Sequence, residues 1–140
     1  MFAKLAYLFI CITNDFKHIH IHASGSKFFE VHELFNEYYE KASEQSDVIQ
    51  ELAIEYKELL QNLSYAADLI KYKPANIESY DWKTAAKKAK ELMGIIYKSL
   101  LEVSKACEDK PDVKNQLEEF MRYWHKEAYY KIERWLNGSD

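Results

Sequence analysis

Apolar residues recur at intervals of three and four from the start of the chain. Phe2, Leu5, Phe9, Ile12, Phe16 and Ile19 form an unbroken stripe, the period of an amphipathic helix of about five turns. The run Ala23 to Ser26 breaks that pattern, with Gly25 as the natural left-handed corner. The period resumes near Lys27 and continues through Phe28, Val31, Phe35, Tyr38, Ala42, Ile49, Leu52, Tyr56 and Leu59, with only Gln45 interrupting it. Two long helices joined by a tight corner are predicted.

Between Asn62 and Asp81 the pattern blurs and Pro74 appears among several turn residues. This reads as a long connection holding one short helix around Tyr65 to Tyr72. Asp81 is placed to cap a third helix, whose stripe is Ala86, Ala89, Met93, Ile96, Leu100, Val103 and Cys107. Pro111 suits the first turn of a fourth helix, carrying Val113, Leu117, Phe120, Trp124, Ile132 and Trp135 and ending near Gly138. Two helical hairpins with a long crossover between helices 2 and 3 describe an all-α, ferritin-like four-helix bundle, expected as one domain over residues 1–140.

Composition agrees. Only three glycines and two prolines punctuate 140 residues, too few for a fold of many strands. The net charge is −4 with dispersed positive residues, so nothing in the sequence supports DNA binding. The opening apolar run is short for a membrane span and its helical period continues without a cleavage site. No membrane partner and a cytoplasmic location are expected. Cys11 and Cys107 stand apart, with no paired spacing, and read as buried free thiols.

Chemistry concentrates on the second helix. His32, Asn36, Asp47 and Glu51 are separated by 4, 11 and 4 residues, which keeps all four along one stripe at 100° per residue. His32 and Glu51 are nevertheless about 28 Å apart along the axis, so one helix cannot bring them to one ion. The four positions mirror each other about the midpoint between Lys41 and Ala42. An antiparallel pairing with a second copy across a two-fold axis sets His32 against Glu51 and Asn36 against Asp47. His20, across the corner, is placed to add a second imidazole. Spacing alone leaves a solvated polar stripe open as the alternative.

The stretch from His20 to Glu51, with Gly25, the paired Phe28 and Phe29, His32, Asp47 and Glu51, resembles the signature of the Dps proteins, the twelve-subunit mini-ferritins. The match spans about residues 14–54. The resemblance implies a homo-oligomer, a dodecamer in that family, with an iron-oxidising centre between two-fold-related subunits. Its metal ligands would be His20 and His32 from one subunit with Asp47 and Glu51 from the other, and Asn36 at the remaining position. Fe would be held as a di-iron or mono-iron site, with Zn as a surrogate.

This chain departs from the family pattern in three places. Asn36 stands where an acidic residue is usual, and Ile21 where a tryptophan commonly follows the first histidine; Tyr39 is then a candidate aromatic near the centre. The chain also begins almost at the first helix, without the lysine-rich extension of many members, so DNA binding is not carried over. The implied activity is Fe(II) oxidation with storage of ferric iron, protecting against oxidative damage. A non-catalytic helical assembly protein and a monomeric adaptor are the rivals.

Other arrangements carry less. His18 and His22 have a metal-pair spacing and Asp15 precedes them, but solvated polar residues at a helix end are the expectation. His125 reads as a surface or interface histidine. No Glu-x-x-His occurs, which argues against a di-iron centre inside one bundle. Phosphate-binding loops, dinucleotide fingerprints and hydrolase motifs do not occur either.

Overall fold

The computed structural model describes residues 1–138 and is helical throughout, with α1 (Phe2–Ile21), α2 (Phe28–Glu55), α3 (Ala66–Leu69), α4 (Trp82–Lys105), α5 (Pro111–Arg122) and α6 (Tyr130–Gly138). A 3-10 turn, Leu63–Tyr65, precedes α3, and a π-helical segment, Tyr123–Tyr129, joins α5 to α6. Contacts divide the chain into two compact units, Met1–Ala85 and Ala86 onward, with the boundary inside α4.

In the first unit α1 and α2 form the expected hairpin. Each apolar stripe is buried along its length: Phe9, Ile12, Phe16 and Ile19 on α1, and Val31, Phe35, Ala42 and Ile49 on α2, are fully shielded. Phe16, Phe35 and Tyr38 meet ring to ring with centroids 5.4–6.0 Å apart. Burying each such ring stabilises the hairpin by about 1.5–3 kcal/mol. Gln45 sits within the same buried face.

Two corrections concern where helices stop. The α2 stripe extends on paper to Leu59, but the helix ends at Glu55 and Leu59 is exposed. Lys57 takes a left-handed conformation, φ 58°. The Lys57 N–H donates to the Ile54 carbonyl and the Glu58 N–H to the Ala53 carbonyl, the double closure of a Schellman motif. The same closure recurs at Lys71, φ 54°, through bonds to Asp68 and Ala67. It stops the short crossover helix at Leu69, before the expected Tyr72.

The crossover is tied back to α1 by Asp15, a buried carboxylate. Its oxygens accept from the Tyr72 hydroxyl at 2.5 Å and the Ala75 N–H at 2.9 Å. Further on, Tyr80 pairs with the α1–α2 corner: its N–H donates to the His22 carbonyl and its carbonyl accepts from Ser24 N–H. Asp81 then caps α4 as expected, accepting from Thr84 N–H at 2.8 Å.

In the second unit α4 buries Ala86, Ala89, Met93, Ile96 and Leu100. Pro111 occupies the first turn of α5. Cys11 and Cys107 are buried free thiols. Burial, reinforced by the Asp15 charge, pushes the Cys11 thiol up to about 11, far from thiolate chemistry. No helix among the described residues is long and apolar enough to cross a membrane.

Candidate metal centre

His20 lies in the last turn of α1 and His32 just over one turn into α2. Gly25, at φ 88°, makes the sharp corner between them, and the two side chains meet across it. Their rings stack with centroids 3.8 Å apart and 23° between planes. Each also bonds the other's backbone: His20 Nδ1 to the His32 carbonyl at 2.5 Å, and His32 Nδ1 to the His20 carbonyl at 2.9 Å.

A carbonyl oxygen only accepts, so both Nδ1 atoms carry hydrogen. In the neutral rings this fixes the tautomer and leaves both Nε2 lone pairs for a cation. Histidine ligands are held in this way elsewhere, one ring nitrogen oriented by a carbonyl while the other binds metal. His20 is buried and His32 half-buried, so two imidazoles are oriented before any cation arrives.

Phe28, one turn before His32, stacks on it at 5.2 Å. It is the aromatic neighbour of the pair; the spacing of four between positions 28 and 32 was the available signal. Tyr39 instead lies beneath the Lys17 ammonium, 4.6 Å from the ring centre. Asn36 is half-buried one turn beyond His32. Its amide donates to Glu40 Oε1 at 3.2 Å, leaving its carbonyl oxygen as the atom suited to a hard cation.

Asp47 and Glu51 are exposed and, with Gln50, Ile54 and Leu60, line an open depression of about 410 Å3. About three helical turns separate Asn36 from Asp47. The structure therefore brings His20 and His32 together, with Asn36 adjacent, and leaves both carboxylates at the far end of the same helix face. Among the described residues no three His, Cys, Asp or Glu side chains of one chain converge on a common point.

The other histidines are accounted for locally. His18 donates from Nε2 to the Ile77 carbonyl at 2.7 Å, and His22 from Nδ1 to the His18 carbonyl at 2.9 Å. His18 holds the end of the crossover against α1, His22 folds back on His18, and Asp15 is occupied by Tyr72 and Ala75. His125 is exposed, with its ring 5.4 Å from that of Tyr97.

No family model and no curated protein sequence matches the chain; solved structures do. Antigen TpF1 from Treponema pallidum superposes with a TM-score of 0.83 at 15% identity, covering 96% of this chain and 90% of that one. Helicobacter cinaedi CAIP gives 0.84 at 16% identity, over 97% and 99% of the two chains. Dps from Staphylococcus aureus gives 0.83 at 16% identity, over 96% and 91%. Nearly the whole backbone is shared while few residues are, so the chain has the all-α ferritin-like fold seen in Dps.

Proposed function

We propose that the protein is a mini-ferritin that oxidises Fe(II) between two-fold-related subunits and stores the ferric product. The carrying observation is the reciprocal clasp of His20 and His32, which leaves two oriented Nε2 atoms facing a need for anionic partners. Asp47 and Glu51 stand at mirror positions on α2, where an antiparallel copy would deliver them. Imidazole and carboxylate together suit iron, the carboxylates favouring Fe(III).

With peroxide as oxidant, two Fe(II) ions each give one electron, the O–O bond breaks, and two hydroxides leave. The protein holds substrate iron on fixed ligands, so that peroxide meets bound iron in place of free Fe(II). The assembly is a homo-oligomer, in this reading a dodecameric shell in the cytoplasm. Binding weakens in acid, where imidazoles take up protons in competition with metal.

The second reading, an assembly protein with this fold and no iron chemistry, draws on Asn36, a neutral side chain whose amide is turned toward Glu40. Fe(II) oxidation followed optically after peroxide addition separates the two. Fast oxidation by wild type that collapses in His32→Ala with Asp47→Ala, both proteins assembling alike, supports the mini-ferritin. A rate equal to that of iron in buffer overturns it.

A further inference from the structure

Two large apolar side chains of α2 stand in water. Phe29 is 77% exposed and Ile54 63% exposed. At 100° per residue their directions agree within about 20°. Asn36, Glu40 and Asp47 fall on the same side, opposite the buried Tyr38, Ala42 and Ile49. Phe29 and Ile54 also mirror each other about the midpoint between Lys41 and Ala42, as His32 mirrors Glu51 and Asn36 mirrors Asp47.

One face thus reads apolar, histidine, amide, acid, acid, apolar, and the occupant that meets each of these with its complement is an antiparallel copy of α2. Sliding that pairing by one residue one way would set Glu33 against Glu51 and Glu37 against Asp47, like charges that oppose the slip. Sliding it the other way would set apolar Val31 against Glu51 and Phe35 against Asp47. Charge and apolar pattern select the same register.

We propose that Phe29 of one subunit closes over Ile54 of a second copy at both ends of the paired α2 helices, sealing the two half-sites from bulk water. This rests on the intersubunit pairing proposed above. Phe29 meets Phe28 edge to face at 5.4 Å, and Phe28 stacks on His32, so the seal and the histidines are joined by ring contacts. Excluding water there strengthens the attraction between a cation and its carboxylates.

The register can be read by disulfide trapping. Within one chain the two positions are about 37 Å apart along the helix, far beyond the roughly 7 Å limit between Cα atoms for a disulfide, so any 29–54 bond is intermolecular. Phe29→Cys with Ile54→Cys in one chain, and the two single variants co-expressed, should give covalent dimers on mild oxidation. Either single variant alone should give none, the native thiols being buried.

Absence of the bond in proteins that keep the wild-type mass under reducing conditions overturns the proposal, as does cross-linking of a single variant. Should the cysteines themselves prevent association, Phe29→Glu and Ile54→Lys serve instead. Each alone should weaken association at least about tenfold, and together they should recover most of it; purely additive losses overturn the pairing. Cross-linking without iron oxidation would retain this interface and remove the iron chemistry. Oxidation without cross-linking would do the reverse.

Discussion

His20 and His32, twelve positions apart, stack face to face while each donates its Nδ1–H to the other's backbone carbonyl. The clasp closes the α1–α2 corner and orients two imidazoles at once, and the structural role is separable from the proposed metal binding. His32→Ala removes both and should cost about 1–2 kcal/mol of stability as well as metal binding. His32→Asn can still donate to the His20 carbonyl but has no Nε2. It should melt close to wild type and still fail to bind Co(II) or Zn(II), read by titration calorimetry.

Glu58, beyond the end of α2, caps α1. Its carboxylate accepts from the Phe2 and Ala3 N–H groups and from the Met1 ammonium, serving the first turn, where no local side chain does. Partial burial raises its pKa, but the Ala3 bond, the ammonium and the Phe2 bond outweigh it and hold the carboxyl below 4.5. A depressed carboxyl stabilises the fold above its unfolded pKa and loses that contribution as pH falls through the folded value. Glu58→Gln should therefore be less stable than wild type by about 1 kcal/mol near neutrality. Urea denaturation should show the difference fading as pH falls below the ordinary glutamate value and through the lower folded one.

Asp15 anchors the crossover through Tyr72 and Ala75. Replacing a buried charged acceptor leaves both donors without it, at about 1.5–3 kcal/mol. Tyr72→Phe and Asp15→Ala should speed hydrogen exchange and proteolysis within residues 66–80 before they affect α1 or α2. Equal protection in wild type and both variants would remove this anchor role.

Lys57 adopts a backbone conformation that a Cβ disfavours, at the position where helices most often carry glycine. Lys57→Gly should stabilise the protein by about 0.5–1 kcal/mol, the relief of strain exceeding the added freedom of the unfolded chain. A rise in Tm of about 2–4 °C is the expected reading. Lys71→Gly tests the same geometry in the crossover.

Asn36 offers a cation only a neutral oxygen. If the proposed centre forms, Asn36→Asp adds a negative ligand and should tighten divalent-cation binding on the order of tenfold. Calorimetric titration of the assembled protein, wild type against variant, gives the comparison directly. Weaker binding by the variant would place the cation away from Asn36.

By itself the sequence determined the helical character, both long stripes, the corner at Gly25, the cap at Asp81 and the face of α2 that carries His32, Asn36, Asp47 and Glu51. These depend on local period and turn chemistry, which a chain displays without its neighbours. It also showed that His32 and Glu51 cannot share an ion within one helix, because helical rise is fixed.

Only the tertiary structure decided that His20 reaches His32, that Phe28 flanks the pair, and that Asp15 serves the crossover. It also decided that α2 stops at Glu55. A lysine in a left-handed turn leaves no compositional trace, and the Glu58 cap spans more than fifty residues. Such contacts exist only after packing has brought distant segments of the chain together.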